Sequence, residues 1–142
     1  DIRSSTINSK INLLKHTEDV HIFGDENKIA QVFDNLIQNA ASFSKKNNSI
    51  NVRLEKNLEN VSIMVEDNGP GFSKGSLNKV FDRFYTDRPK NEKFGNHSGL
   101  GLSISKQIVE AHGGTIEALN RFNQKNECLG GSVKVTLPEK KF

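Results

Sequence analysis

A two-layer α+β sandwich, with helices on one face of a mixed sheet, is predicted by three features of the sequence. Two segments, 25–43 and 100–111, repeat apolar residues at helical spacing. Segments 49–55 and 61–67 alternate apolar and polar residues as half-buried strands do and are joined as a hairpin, and 115–119 and 131–137 read as the closing strands. The stretch 72–98 follows neither period, and a connection of that length inside a compact domain is usually functional or disordered.

Residues 1–24 contain two candidate short strands, 10–14 and 20–23, joined by polar residues. Gly24-Asp25 opens the strongest helix, with Asp25 as its N-cap and Lys28 where a capping box would have Glu. Ile29, Val32, Phe33, Leu36, Ile37, Ala40 and Phe43 form its apolar stripe. Residues 45–48 are a turn, and 57–60 connect two strands as a hairpin. A short helix is expected near 77–81, followed by a Lys-, Asn-, Gly- and Pro-rich run. The helix over 100–111 stops at His112-Gly113-Gly114, and two strands close the domain before Pro138. The expected order is therefore β-β-α-β-β-loop-α-β-β.

At 142 residues the chain is one domain with room for a core. The net charge of +3, with 26% charged residues of both signs, implies no surface for polyanions, and no nucleic-acid partner is expected. One cysteine, Cys128, excludes an internal disulfide and fits a reducing compartment; in its polar loop it reads as a spectator thiol. No apolar run approaches the roughly 20 residues that cross a bilayer, and no signal-peptide pattern is present. The chain begins at Asp1 without Met and is expected to be a piece of something longer.

Three constellations carry chemistry. Asn35 and Asn39 lie one turn apart at the edge of the apolar stripe. Such amides face solvent or backbone, or hold a ligand between helix and sheet, and Asn offers a neutral oxygen suited to Mg²⁺. Asp67 ends a strand and is followed by Asn68-Gly69-Pro70-Gly71-Phe72. A buried, ionised Asp there could accept a hydrogen bond from an exocyclic amine such as that of adenine, while the glycines let a flat ligand approach the backbone. Phe43 is either core or an aromatic wall for that ring. The third is Ser98-Gly99-Leu100-Gly101-Leu102, which runs into a helix. It is either a tight turn or a phosphate site made of open N–H groups. Neither a P-loop nor a dinucleotide fingerprint is present. Between the second and third, a mostly basic segment includes Phe81-Asp82-Arg83-Phe84-Tyr85, three aromatics around an arginine that suggest an anchor able to dock and release.

In this order, Asn-x-x-x-Asn on a helix, Asp-x-Gly-x-Gly after a strand, Phe-x-Arg-Phe-Tyr and Gly-Leu-Gly-Leu entering a helix resemble the catalytic, ATP-binding domain of sensor histidine kinases. They match its N box, first glycine box, F box and second glycine box, over nearly the whole chain. The resemblance implies the Bergerat ATP-binding fold shared with gyrase, a mismatch-repair ATPase and a heat-shock chaperone, with 72–98 as an ATP lid. It implies ATP and Mg²⁺ as cofactors, with Asp67 binding the adenine amine and Asn39 coordinating the metal. Asn35 would lie near the γ-phosphate, with Arg83 as a further catalytic residue. Phe43, Gly69, Gly71, Phe84, Tyr85, Gly99, Leu100, Gly101 and Leu102 would complete the nucleotide site. Gly113-Gly114 and Gly130-Gly131 match glycines flanking the family's last strands.

Two departures stand out: Ser42 occupies a place where many members have Lys, and Asn96-His97-Ser98 replaces a more glycine-rich run. Hydrolytic relatives place Glu where Asn35 stands; an amide takes no proton, which favours transfer to an acceptor over hydrolysis. His16, His21, His97 and His112 are followed by Thr, Ile, Ser and Gly, not by the acidic residue that follows the family's acceptor. The acceptor is thus expected on an upstream helical dimerisation domain, with 1–24 leading from it and 25–142 forming the catalytic domain. The implied partners are that domain and a response regulator; the full protein is expected to be a homodimer and this piece a monomer. The implied setting is the cytoplasmic side of an inner-membrane sensor. An anti-sigma-factor serine kinase of the same fold, or a nucleotide-binding module without turnover, are the alternatives.

Overall fold

Helix α1 (Glu26–Phe43) forms where apolar residues recur every three to four positions. The Asp25 carboxylate caps it, accepting the N–H groups of Asn27 at 3.0 Å and Lys28 at 3.1 Å. Such a cap contributes about 1 kcal/mol, because a helix start leaves these donors open. Val32, Leu36, Ile37 and Ala40 are buried along one stripe. The helix ends as Ser44 turns extended, its N–H donating to Ala40 O at 3.0 Å.

The computed structural model describes the backbone of 10–15 together with residues 21–44, 49–73, 75–77, 79–82 and 101–140. Strands β1 (Lys10–Lys15), β2 (Ser49–Lys56), β3 (Asn60–Glu66), β4 (Thr115–Phe122) and β5 (Cys128–Pro138) form one sheet in the order β1-β2-β3-β5-β4. β1 runs parallel to β2 and the other neighbours are antiparallel, so the sheet is mixed. Alternation along β5 sends Val133, Val135 and Leu137 into one core with Val32, Leu36 and Ile37 of α1 and Val109 of α2 (Gly101–Ala111). Ile50, Val52 and Val65 join them from β2 and β3. Each fully buried branched side chain contributes about 1.5–3 kcal/mol relative to exposure.

The two helices are also tied at one end. His112, just past α2, accepts the Asp25 N–H on Nε2 at 3.0 Å, while its Nδ1 lies 2.7 Å from Ile108 O. A carbonyl only accepts, so Nδ1 carries the proton and Nε2 is the acceptor. The end of α2 thereby holds the start of α1.

Three expectations need correction. His21–Phe23 form no strand: His21 O accepts one backbone bond, from Lys140 N–H at 2.6 Å, while Ile22 alone packs on the core and Phe23 is exposed. Among the described residues this bond extends into no ladder. The described part of 77–81 is a series of single turns, with Lys79 N–H donating to Ser76 O at 2.8 Å and Asp82 N–H to Lys79 O at 2.9 Å. Gly75, at φ 87°, enters these turns in a non-helical conformation, and the Ser76 hydroxyl donates to Ser73 O at 2.7 Å. The last strands run further than expected because they form a continuous hairpin, in which Asn123 Oδ1 accepts the N–H groups of Lys125 at 2.8 Å and Glu127 at 3.0 Å.

Candidate nucleotide site

Asp67 follows β3 and is 4% exposed. Its N–H donates to Gly131 O at 3.0 Å, so it continues the pairing with β5. Its Oδ1 accepts two backbone N–H groups, Gly69 at 2.9 Å and Gly131 at 2.9 Å. Oδ2 makes no hydrogen bond to a described residue. Burial raises the carboxyl pKa above its ordinary value of 3.8, and the Gly131 and Gly69 N–H groups and then the Arg121 guanidinium oppose that rise. The result is a fixed carboxylate with one oxygen satisfied and the other open to a donor.

The loop after Asp67 is held from three sides. At α1, the Phe43 carbonyl packs so closely on Gly69 that a Cβ there would lie 2.2 Å from Phe43 O. At β4, Asn120 pairs with the Phe72 backbone as a strand neighbour would, accepting its N–H at 2.7 Å and donating to its O at 3.0 Å. Arg121 Nη2 donates to Asp67 O and lies 3.5 Å from Asn68 Oδ1. Gly71, at φ 84°, faces Cys128 and Asn120, with a Cβ placed 2.6 Å from Cys128 Sγ. Both glycines were expected to leave space for a ligand, yet the vacant Cβ positions are filled by the protein itself. Phe43 meets Phe72 edge to face, with ring centroids 6.0 Å apart at 65°.

The second cluster joins α1 to the start of α2. Asn35 Nδ2 donates to Gly101 O and to the buried Ser105 Oγ, each at 3.4 Å. Since Gly101 O only accepts, the amide turns its nitrogen to α2 and its oxygen elsewhere. Asn39 is half-buried one turn along, and its backbone O accepts the Ser42 hydroxyl at 2.7 Å. Leu102 packs against the core, and α2 has no acidic residue in its first turn to oppose an anion. Arg83, Phe84, Tyr85, Gly99 and Leu100 lie outside the described residues, as does lid segment 83–98.

Among the described residues, Asn35, Asn39 and Gly101 gather at one helix pair, and Phe43, Asp67, Gly69 and Gly71 gather at the loop. Asn120 and Arg121 escaped sequence reading because the strand was ended at Leu119, which left them in a loop. The continuation of the strand through Asn120 and Arg121, opposite Gly131 and Gly130, to Phe122 was the available sign. Among the described residues no three His, Cys, Asp or Glu side chains group to hold a metal, and no helix is long and apolar enough to cross a membrane.

Helices stacked on one face of a mixed sheet, with a strand-end carboxylate beside the helix layer, define an ATP-binding ATPase domain. The chain belongs to the family of histidine kinase-, DNA gyrase B-, and HSP90-like ATPases, whose profile matches residues 24–141. It is an ATPase domain of the sensor-histidine-kinase type. It is 46% identical over 116 residues to the sensor protein ChvG of Agrobacterium fabrum, covering 81% of this chain and 20% of that protein. The mycobacterial sensor histidine kinase MprB superposes with a TM-score of 0.79 at 25% identity, over 95% of this chain and 85% of that one. The histidine kinase ThkA, solved in complex with the response regulator protein TrrA, gives a TM-score of 0.73 at 29% identity, over 94% of this chain and 35% of that one. The chain spans about a fifth (20%) of the length of the curated relatives it matches.

Proposed function

We propose that this domain holds ATP with its adenine amine on Asp67 Oδ2 and its phosphates toward Asn35, Asn39 and the start of α2. On this reading it passes the γ-phosphoryl group to a histidine on another segment of a longer sensor kinase, for relay to a response-regulator aspartate. The observation that carries the reading is the divided Asp67 carboxylate: Oδ1 is locked by two backbone N–H groups at 2.9 Å, and Oδ2 is left for a donor. An exocyclic amine meets that need, and a carbonyl in its place would repel it.

In the transfer, the bond between the γ-phosphorus and the bridging oxygen of ATP breaks, and one forms to an imidazole nitrogen of the acceptor; ADP leaves. The nucleophile needs no activated water, which suits the amide of Asn35. Asn35, tied to Gly101 O and Ser105 Oγ, fixes α1 against α2, and the N–H groups at the start of α2 bind phosphate oxygens. Neutral amide oxygens without a carboxylate cluster fit Mg²⁺, which takes few protein ligands and keeps water and phosphate oxygens. Asn39 would hold it, and the ion supplies charge neutralisation on the phosphates. His112 does not fit the acceptor role, because both ring nitrogens are engaged, by Asp25 N–H and Ile108 O.

Calorimetric titration of a non-hydrolysable ATP analogue with Mg²⁺ tests the base site. The expected result is saturable binding that weakens roughly 10- to 100-fold in Asp67→Asn, the range of a lost hydrogen bond to a charged group. Equal affinity in the two proteins would remove Asp67 from the site.

A further inference from the structure

Arg121 reaches an unusual distance. It pairs with Gly130 in the β4–β5 ladder, and β5 separates it from β3, at whose end Asp67 stands. Strands are spaced about 4.8 Å apart, so the side chain crosses two spacings to touch Asp67. It can do so because residue 130 has no side chain. A Cβ on Gly130 would lie 2.1 Å from Asp67 O and 3.0 Å from Arg121 Nη2, and its φ of 146° is one that other residues rarely adopt. The guanidinium keeps this position although Nε is buried without an acceptor. What holds it is the pair of oxygens at Nη2: Asp67 O and, at 3.5 Å, Asn68 Oδ1.

We propose that Arg121 is a positioning residue of the base site: by gripping the Asp67 carbonyl and the Asn68 amide from two strands away, it sets the direction of Asp67 Oδ2 and keeps that carboxylate an acceptor. The inference rests on the reading of Asp67 as the adenine-binding group. The groups acting on that carboxyl are few. From the loop and β5 come the neutral N–H groups of Gly69 and Gly131, and from β4 comes, among the described residues, one cation, Arg121. Neighbouring Glu66 is engaged by Arg53 of β2 at 3.6 Å. With Arg121 neutralised, no charge among the described residues opposes the burial of Asp67, and its protonation moves to higher pH. A protonated carboxyl presents a donor where the adenine amine requires an acceptor.

The test compares Arg121→Gln, Arg121→Lys and Asp67→Asn with the wild-type domain. Affinity for the non-hydrolysable ATP analogue with Mg²⁺ is measured across the acid range, and circular dichroism checks that each variant is folded at the working temperature. Arg121→Gln should bind about fivefold more weakly at neutral pH, the order of one lost hydrogen bond. The pH at which its binding fails on acidification should also rise. Arg121→Lys should lose affinity, because an ammonium lacks the rigid fork, yet keep the wild-type acid limb, because it keeps the charge. A purely structural residue would lower the melting temperature and leave the acid limb where it is. That outcome, or wild-type binding in folded Arg121→Gln while Asp67→Asn fails to bind, overturns the inference alone. Wild-type binding by Asp67→Asn overturns both it and the reading beneath it.

Discussion

Asp67 works against the fold that holds it. A carboxyl whose pKa is raised in the native state binds protons more readily there than in the unfolded chain. Stability is therefore greatest below the unfolded value of 3.8 and falls as pH rises through the window up to the native value. At neutral pH the full penalty is present. Asp67→Asn, whose amide oxygen can still accept the Gly69 and Gly131 N–H groups, should melt above the wild type at neutral pH. The gain should vanish in acid, and thermal melts at two pH values read it directly. A gain over the wild type no larger at neutral pH than in acid would contradict this. The glycines divide in the same way. Gly69→Ala places a methyl 2.2 Å from Phe43 O and should lose about 1–3 kcal/mol, as overpacking does. Gly101→Ala meets Asn35 only at 3.9 Å and should keep or raise the melting temperature. If nucleotide affinity falls in folded Gly101→Ala, close approach of phosphate is favoured as the cause, since packing among the described residues is undisturbed.

Helix α1 carries the asparagines of the proposed site, and both of its ends are fastened to something else. Its start is capped by Asp25 and held by His112, and its end is pressed on the glycine loop through Phe43. Asp25→Ala and His112→Ala should each destabilise by about 1 kcal/mol. Because both act on one helix start, the double variant should depart from additivity by 0.5 kcal/mol or more on the usual scale for contacting residues, in urea unfolding. Strict additivity would mean that the histidine packs without helping the cap. The elements also show what a sequence makes legible. Helix α1 was readable because cap, period and stop agree along one segment. The β4–β5 hairpin beyond Leu119 was not, because its turn is specified by the Asn123 side chain within a polar run that reads equally well as a loop. At Gly75 and Ser76 a positive φ and a hydroxyl outweigh the apolar residues that follow. In the site, Asp67 and the asparagines were visible as residue types in order, whereas Asn120 and Arg121 act across strands, and a linear reading does not show which strand lies beside which.

At the scale of the whole molecule, ligand and fold are one balance. A nucleotide at a hundred times its dissociation constant should stabilise the domain by about 2.7 kcal/mol, roughly 10 °C in melting temperature for a chain of this size. Differential scanning fluorimetry should show that shift in the wild type and about half of it or less in Asp67→Asn. An equal shift in both would mean that the nucleotide binds elsewhere. The open Oδ2 of Asp67 has one more consequence, in protein turnover. An empty domain holds a carboxylate oxygen with no hydrogen bond to a described residue, and on the proposed reading the incoming amine supplies the donor. Whatever depletes adenine nucleotide therefore raises the fraction of chains open to proteases. On the proposed reading, the lifetime of the domain then follows the supply of adenine nucleotide.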